Sequence, residues 1–370
     1  MKNIAFYLPQ FHRTPENDKW WGEGFTEWTN MKKAQPLFDG HYQPRIPLEN
    51  NYYNLDDVKN IRWQAEIAKE HGIYGFCLYH YWFNGKLLLE KPIHLLRDNK
   101  DIDINYCLCW ANENWTNGWV SDKANILIEH NFNDRNDWKK HIDYFIEFFK
   151  DERYILIDDK PMLIIYYPNL IGPLKEMMDF WNEEVVKAGF KGISFVFQHP
   201  YFYFDEKTDK SLFNYGIEFE PTFSRQICYG NDSKKQNLKI KISTFLQKRL
   251  HIYLHLRKKK LVKYDYDKIW NEMLNRVPDS NMFPGVFVDW DNTPRKGERG
   301  SVMVGASPEK FKNYYSQMVK KVRDVYNKEF IFIFAWNEWA EGGYLEPDEK
   351  YGYAYLEAIR DVLKEENQMP

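Results

Sequence analysis

Short apolar runs recur along the chain and alternate with longer stretches in which apolar residues return every three or four positions. The short runs predict strands buried on both faces, and the three-to-four-residue period predicts amphipathic helices. The predicted strands are residues 4–8, 73–79, 104–110, 162–167, 193–198, 216–220, 284–289 and 330–336. The predicted helices are residues 56–71, 90–99, 134–152, 173–188, 238–275, 307–328 and 351–365. Only the link between the fifth and sixth strands, residues 199–215, is weak as a helix.

Buried strands that alternate with helices predict an α/β fold, and eight of them predict a (β/α)8 TIM barrel. The chain is longer than the ~250 residues typical of this fold, so we expect long strand-end loops and a basic helical insertion at about residues 232–276. We expect residues 1–370 to form a single catalytic domain. A doubly wound open sheet is the alternative, but no Gly-x-Gly-x-x-Gly follows the first strand.

Polar and aromatic residues collect where the predicted strands end, whereas the strand starts are bland. Active sites of TIM barrels lie at this carboxyl-terminal rim. The strand-end residues are Gln10, His12, Tyr79, His80, Tyr81, Trp82, Trp110, Asn112, Glu113, Trp115, Tyr166, Tyr167, Gln198, His199, Glu218, Glu220, Asp289, Trp290 and Asp291. This asymmetry predicts a site at one rim of the barrel.

The last strand leads into the densest of these clusters, where Trp336, Asn337, Glu338, Trp339 and Glu341 follow each other closely. Two carboxylates are what glycosidic bond cleavage usually requires, and indole faces can stack on sugar rings. The alternative is an ordinary turn whose acids cap a helix or pair with Lys and Arg. The apolar strand before the cluster favours the functional interpretation.

Each of the other candidates also has a structural alternative. His80 and His199 could be hydrogen-bonded core histidines, and Glu113 and Asp289 could pair with nearby cations. Glu218 and Glu220 share one face of a strand and could close the barrel against Arg225. Aromatic pairs often serve packing alone.

The first loop, residues 9–55, is unusually long, and long loops inside a compact domain are usually functional. Trp20, Trp21 and Trp28 accompany two glutamates within nine residues. These indoles are expected either to form stacking surfaces on one wall of a substrate cleft or to build a small satellite core.

Composition excludes several classes of protein. The net charge of −3 implies no general affinity for nucleic acid, and no apolar run reaches the ~18 residues of a membrane span. Because the apolar run after Met1 is too short for a signal peptide, we expect a cytoplasmic protein. The four cysteines lack metal-ligand spacing, so we expect free thiols, no metal and no cofactor.

Five segments together resemble a known family. They are residues 7–12 (Tyr-Leu-Pro-Gln-Phe-His), 21–28 (Trp-Gly-Glu-Gly-Phe-Thr-Glu-Trp), 75–83 (Gly-Phe-Cys-Leu-Tyr-His-Tyr-Trp-Phe), 110–113 (Trp-Ala-Asn-Glu) and 336–342 (Trp-Asn-Glu-Trp-Ala-Glu-Gly). This set is similar to the WbsX-type family of glycosyltransferases from surface-polysaccharide clusters, which is related to the endo-α-mannosidases and endo-α-mannanases of glycoside hydrolase family 99. The resemblance runs from residue 4 to about residue 357.

The resemblance implies a (β/α)8 barrel with retaining chemistry on an α-manno- or rhamno-configured bacterial polysaccharide. By this match Glu341 is the general acid/base, and Glu338 is the base that acts on the sugar 2-hydroxyl to form a 1,2-anhydro sugar. The pKa of Glu341 would then need to be raised, while Glu338 must be ionised. The candidate substrate-binding residues are His12, Trp28, Tyr79, His80, Trp82, Trp110, Asn112, Glu113, Tyr166, His199, Glu220, Asp289, Trp336 and Asn337.

Three activities stay open at this point: a retaining endo-glycosidase, a transferase that uses the same acid pair, and a silent carbohydrate-binding barrel. The stretch from Lys234 to Lys263 contains eleven Lys or Arg residues and no acid. It is either a solvated helical face or a surface for a membrane or an anionic glycan. This basic insertion keeps the transferase hypothesis open.

Overall fold

The computed structural model describes residues 1–116, 126–199, 209–230 and 261–370. The helices are α1 (Pro15–Trp21), α2 (Glu27–Lys33), α3 (Val58–Glu70), α4 (Lys91–Asp98), α5 (Arg135–Phe149), α6 (Leu174–Lys187), α7 (222–230), α8 (Tyr266–Asn275), α9 (Thr293–Lys296), α10 (Pro308–Lys321) and α11 (Ala354–Glu365). The strands are β1 (Lys2–Tyr7), β2 (Ile73–Phe83), β3 (Lys86–Leu88), β4 (Asn105–Trp110), β5 (Trp115–Thr116), β6 (Ile126–Ile128), β7 (Leu156–Ile157), β8 (Lys160–Ile165), β9 (Ser194–His199), β10 (Tyr215–Glu218), β11 (Val262–Asp265), β12 (Met282–Phe283), β13 (Gly285–Phe287), β14 (Ser301–Val304), β15 (Phe330–Phe334), β16 (Asn337–Glu338) and β17 (Gly343–Tyr344).

The central sheet is a parallel barrel, which confirms the predicted fold class. Within the described residues, its strands follow the order β1, β2, β4, β8, β9, β10, β12/β13 and β15, and β15 returns to β1. The seventh barrel strand is split at Pro284, so that β12 pairs with β10 and β13 pairs with β15. The ring therefore closes through both pieces of this strand, and all eight predicted strands take part in it.

The barrel strands are buried on both faces, as their apolar runs predict. In β15 every residue from Phe330 to Phe334 is buried, and the ring interior is filled with aromatic side chains such as Phe6 and Phe219. The outer helices press their apolar faces onto the strands, and Trp181 and Trp270 are fully buried there. Aromatic residues make up 18% of the chain, and many of them therefore serve packing.

Several helices begin where a short polar side chain caps them. Asp57, Asp134, Asp265 and Ser307 each accept a hydrogen bond from a backbone N–H in the first turn of α3, α5, α8 and α10. Helix α10 ends earlier than predicted, because a π-helical turn at Val322–Tyr326 replaces its last residues.

The predicted basic insertion lies mostly outside the described residues, which resume at residue 261. Its described end contains β11, which pairs in parallel with β14, and then α8. In the same way, most of the weak link between the fifth and sixth strands falls outside them. Within the described ranges, no helix has the length and apolar character needed to cross a membrane.

The four cysteines are free thiols in the described structure. Cys77, Cys107 and Cys109 are buried in the barrel, and Cys228 is half-buried on α7. Burial raises the pKa of Cys77 well above its usual range, which makes it an inert core residue.

Candidate active site

A cavity of about 660 Å3 opens at the carboxyl-terminal end of the barrel. Its volume lies in the usual range of small-ligand sites. The residues that line it come from strand ends and from the loops that follow them: Leu8, Gln10, Trp21, Glu27, Tyr79, Tyr81, Ala111, Glu113, Asn114, Trp115, Thr116, Tyr166, Tyr167, Phe219, Thr222, Arg225, Tyr264, Trp290, Asn292, Arg295, Lys296, Ser301, Phe334, Glu338 and Glu341. The polar and aromatic residues at the strand ends thus surround a cavity at the rim where the sequence predicts a site.

Both acids of the last strand line this cavity. The chain leaves β15, forms the small β16–β17 hairpin, and makes a single 3-10 turn at Trp339–Glu341 between them. Gly342 ends this turn with a φ of 67°, in the left-handed region that glycine adopts at low cost. A Cβ atom at this position would lie 2.8 Å from the Asp291 backbone nitrogen. Glycine is therefore required here for both conformation and space.

Asn337 fixes the start of the hairpin against the first barrel strand. Its Oδ1 accepts a hydrogen bond from the Leu8 N–H at 2.7 Å, and its Nδ2 donates to the Leu8 carbonyl at 3.0 Å. Trp339 stacks on Tyr344 with ring centroids 3.8 Å apart. These contacts hold the backbone on both sides of Glu338.

Arg295, on α9, lies between the two acids. Its Nη1 is 2.7 Å from Oε1 of Glu341, and its Nη2 is 3.5 Å from Oε2 of Glu338. The same guanidinium also contacts Oε2 of Glu27, 3.1 Å from Nη2. One cation therefore holds three carboxylates together, and we call this set of four residues the Arg295 cluster.

The two acids of the pair have different surroundings. The Glu338 side chain is 8% exposed and its Oε2 has no hydrogen-bond partner, whereas the Glu341 side chain is 22% exposed and pairs closely with Arg295. Burial, and after it the nearby charge of Glu341, raises the pKa of Glu338 to about 8. The resemblance required an ionised Glu338, whereas burial of this side chain favours its protonated form.

Of the candidate substrate-binding residues, Tyr79, Tyr166 and Glu113 line the cavity. Tyr79 packs edge-on against Tyr166, with ring centroids 6.1 Å apart. Glu113 follows the third barrel strand, and its side chain is open to the cavity. Together with Tyr81 and Trp115 these residues form an aromatic and polar wall.

Three predicted residues of the second and third strands lie behind the cavity, among helices. His80 is fully buried, and its Nε2 is 2.9 Å from Nε2 of His141 on α5. Trp82 stacks on His141 and donates to Asp137, while Trp110 packs on His141 and Trp181. Burial lowers the pKa of His80 to about 3, so it is neutral. These side chains do not line the cavity.

Other predicted residues support the backbone near the rim. Asn112 forms a two-way hydrogen-bonded pair with the backbone of Tyr167, at 2.7 Å in each direction. His12 approaches the Pro9 carbonyl through Nδ1 at 2.9 Å, and Trp336 packs against Phe76 in the core. His199 packs edge-on against Phe223. None of these side chains belongs to the cavity lining.

Glu220 lies in a buried ion-pair cluster behind the sixth strand. Arg276 contacts Glu218 at 2.7 Å, Glu220 at 3.0 Å and Ser224 at 2.8 Å. The cation that closes this part of the barrel is therefore Arg276 rather than Arg225, which lines the cavity instead.

Asp289 anchors the long first loop to the seventh strand. Arg45 contacts Asp289 at 2.7 Å and donates to the Gly342 carbonyl at 3.1 Å. Asp291 accepts a hydrogen bond from Gln43 at 2.7 Å, and Nε2 of His41 lies 2.8 Å from the same oxygen. These contacts connect the first loop, the seventh strand and the turn that carries the acid pair.

The tryptophans of the first loop divide between core packing and the cavity wall. Trp28 is buried, donates to the Tyr53 carbonyl at 2.8 Å, and packs against Phe11 and Trp339. It belongs to the hydrophobic core that continues into the barrel, and not to a separate satellite core. Trp21 lines the cavity.

Arg295 was missed by the sequence analysis, and Glu27 and Tyr81 were seen but not chosen as site residues. The usable signal for Arg295 was its position four residues after Asp291, at the rim where the seventh strand ends. Among the residues that the structure describes, no group of three or more His, Cys, Asp or Glu side chains is arranged to hold a metal ion.

Comparison with known proteins gives a consistent family and fold. A family model described as "Glycosyltransferase WbsX" matches residues 3–359. Two proteins called "Uncharacterized protein WxcX", from strains of Xanthomonas campestris pv. campestris, are 33% and 34% identical over 366 residues, which is 97% of this chain and 49% of theirs. The chain thus spans about half the length of these relatives.

Solved structures share the fold at low sequence identity. The GH99 endo-α-mannosidase from Bacteroides thetaiotaomicron superposes with a TM-score of 0.55 and 14% identity, over 99% of this chain and 98% of that one. A "Glycoside hydrolase-like protein" gives a TM-score of 0.56 and 10% identity, over 98% and 93% of the two chains.

Proposed function

This chain belongs to the WbsX glycosyltransferase family. We propose that it cleaves a glycosidic bond of a bacterial polysaccharide with retention of configuration. The proposed substrate is α-manno- or rhamno-configured, and the proposed mode is endo-acting hydrolysis. The observation that carries the proposal is the acid pair Glu338 and Glu341, which lines a ligand-sized cavity at the carboxyl end of a barrel. The curated relatives are about twice as long as this chain. The activity of the whole protein is therefore also a proposal.

In the proposed first step Glu338 takes the proton of the sugar 2-hydroxyl. The 2-oxygen then forms a bond to the anomeric carbon while the bond to the leaving oxygen breaks, and Glu341 gives its proton to that oxygen. The product is a 1,2-anhydro sugar. An α-manno ring suits this step, because its axial 2-oxygen can attack the anomeric carbon from the side opposite the leaving group.

In the second step an acceptor hydroxyl attacks the anomeric carbon and opens the three-membered ring. Glu341 takes the acceptor proton, and Glu338 returns a proton to the 2-oxygen. The pair therefore ends each cycle with the one shared proton with which it began. Water as acceptor gives hydrolysis, and a sugar hydroxyl gives transfer with the same residues.

Burial favours a proton on Glu338, whereas the proposed first step requires this residue to be ionised. Substrate binding must therefore stabilise the ionised form of Glu338. A sugar 2-hydroxyl that hydrogen-bonds to Glu338 would favour its ionised form in the same event.

A glycosyltransferase of cell-surface polysaccharide assembly is the second candidate, and the family description favours it. Product analysis separates the two candidates, because hydrolysis incorporates solvent oxygen into a shorter product and transfer does not.

The test is mass spectrometry of products formed in 18O water from a panel of α-mannan and α-rhamnan oligosaccharides. We expect wild type to give labelled, shorter products, and Glu338→Gln and Glu341→Gln to give at least a hundredfold less. Glu70→Gln is the matched control, because it makes the same isosteric change at an exposed position of α3. Unlabelled longer products would favour transfer, and equal turnover by both cavity variants would exclude this acid pair.

A further inference from the structure

Residues 337–341, which we call the acid-pair turn, face two different cavities. Glu338 and Glu341 line the cavity described above, whereas Trp339, which lies between them in the chain, lines a second cavity of about 520 Å3. Glu346 also lines this second cavity and is only 3% exposed. Because a cavity rather than a layer of close-packed side chains lies on this side of the turn, specific contacts must hold the turn in place there.

The carboxylate of Glu346 accepts hydrogen bonds from three separate parts of the chain. Trp339 Nε1 donates to its Oε2 at 2.6 Å, and the Tyr53 hydroxyl donates to the same oxygen at 2.8 Å. Gln64 Nε2 donates to Oε1 at 2.6 Å. This carboxylate therefore joins the acid-pair turn to the first loop and to α3.

Both chain neighbours of Glu338 are connected to this carboxylate. Trp339 contacts it directly. Asn337 is connected through Tyr53, because Asn337 Nδ2 donates to the Tyr53 hydroxyl at 3.4 Å. A displacement of the Glu346 carboxylate would therefore move the backbone on both sides of Glu338.

The hydrogen-bond pattern requires a carboxylate at position 346. A glutamine amide has one oxygen that accepts and one nitrogen that only donates, so it cannot accept from donors on both sides. Gln64 already uses its own Oε1 to accept from the Tyr7 hydroxyl at 2.7 Å. Burial raises the pKa of Glu346 to about 7, against the hydrogen bonds that lower it. A buried carboxylate costs stability, so its presence here calls for a role beyond packing.

We propose that Glu346 is a positioning residue that holds the acid-pair turn, and with it Glu338, in the place that the reaction requires. This inference rests on the proposed function, since it assigns a residue to the reaction of that acid pair. Glu346 lines the second cavity and not the substrate cavity, so it acts through Trp339 and Asn337 without touching the sugar. Such support matters because a misplacement of ~1 Å can lower a reaction rate about a hundredfold.

The test uses three variants and one control. Glu346→Gln leaves at least one donor of the network without an acceptor. Gln64→Glu combined with Glu346→Gln exchanges the acid and the amide, so that the carboxylate at position 64 accepts from Tyr7 and from the amide at position 346, and every donor again has an acceptor. Trp339→Phe removes the indole N–H and keeps an aromatic ring. Glu218→Gln is the matched control, because it makes the same change at a buried acid outside both cavities.

The first measurement needs no substrate. Differential scanning calorimetry at pH 5, 6.5 and 8 gives the difference in Tm between each protein and the same protein with Glu338→Gln added. The titration of Glu346 cancels in this difference, because both members of a pair share it.

In wild type and in Glu218→Gln the difference in Tm should change with pH, because burial raises the pKa of Glu338. In Glu346→Gln and in Trp339→Phe this change should be less than half as large, because a displaced turn lets water reach Glu338. The double variant at positions 64 and 346 should restore it.

The second measurement is the rate of cleavage of the α-mannan or α-rhamnan oligosaccharide that wild type cleaves fastest. Glu346→Gln should lower kcat about tenfold or more and change KM by less than about twofold, because it moves a reacting group and leaves the substrate cavity intact. The double variant should recover most of kcat. Glu218→Gln should keep kcat and lower only the Tm.

A Glu346→Gln protein with a lower Tm at every pH, but with an unchanged titration of Glu338 and an unchanged kcat, would overturn the proposal, because Glu346 would then serve stability alone. Losses that the double variant does not recover would also overturn it, because the number of acceptors would then not be the cause. If Glu346→Gln does not fold, Trp339→Phe provides the same test.

The two proposals can fail separately. If no oligosaccharide of the panel is cleaved, the proposed function fails, and the calorimetric measurement still tests the positioning role. If cleavage requires Glu338 and Glu341 but proceeds at the wild-type kcat in Glu346→Gln, only the positioning role fails.

Discussion

The strongest prediction concerns the stability of the protein as a function of pH, because Glu338 is a buried carboxyl group whose pKa is raised from 4.5 to about 8. A raised pKa in the folded state means that the folded protein binds a proton that the unfolded chain releases. Its stabilising contribution is complete below about pH 4.5 and is lost as the pH rises through about 8. Glu338→Gln removes this titration and keeps the size of the side chain.

The magnitude follows from the size of the shift. Between the two pKa values the free energy of unfolding falls by ~1.4 kcal/mol for each pH unit, and less steeply close to either pKa, so the loss between pH 5 and pH 8 is about 3.5 kcal/mol. With an unfolding entropy of ~2.1 cal/mol/K per residue, a chain of this length loses about 4.5 °C in Tm. The difference in Tm between Glu338→Gln and wild type should therefore increase by about this amount, in favour of Glu338→Gln, as the pH rises from 5 to 8.

The assay is differential scanning calorimetry of wild type, Glu338→Gln and Glu70→Gln at pH 5, 6.5 and 8, at constant ionic strength. Other buried acids, such as Glu346, titrate in all three proteins, so the difference in Tm isolates Glu338. The control should follow wild type at every pH, because Glu70 is exposed. A difference between wild type and Glu338→Gln that stays constant across the three pH values would refute the reasoning.

Three further predictions test the support around the site. Gly342→Ala should lower activity at least tenfold and reduce the Tm, because its Cβ would lie 2.8 Å from a backbone nitrogen; Gly189→Ala, also at positive φ but with open space around it, is the control for the conformational cost alone. Arg276→Met should destabilise the protein by about 3–5 kcal/mol in calorimetry, because it leaves buried carboxylates without their cation; an unchanged Tm would contradict this role. Trp28→Ala should cost about 3–5 kcal/mol of stability, because it truncates a core side chain. Trp21→Ala should instead weaken oligosaccharide binding and shift the Tm by less than about 1 °C. The reverse pattern would mean that Trp21 packs in the core and Trp28 binds substrate.

Much of the fold could be predicted because it depends on local patterns. The eight barrel strands are short apolar runs, and a strand buried on both faces has to consist of such residues. Their alternation with amphipathic helices leaves few topologies, and parallel strands bring all their carboxyl ends to one rim. Glu338, Glu341, Tyr79 and Tyr166 line the cavity for this reason.

The direction of each side chain and the partners it meets could not be predicted. Successive residues of a strand point to opposite faces, so Tyr79 and Tyr81 line the cavity while His80 and Trp82 pack among the helices outside. An error of one residue in the predicted direction of the side chains therefore assigns a core residue to the site and a site residue to the core. Sequence spacing alone did not distinguish these cases.

The sequence by itself thus determined the barrel, the rim that carries the cavity and the presence of an acid pair, because each follows from residue type and period. Only the tertiary structure decided that Arg295, 43 and 46 positions before Glu338 and Glu341, lies between them, and that Glu338 is the more buried of the two acids. Charge and burial depend on neighbours that are distant in the chain. For the same reason the sequence did not identify Arg276, instead of Arg225, as the partner of Glu218 and Glu220.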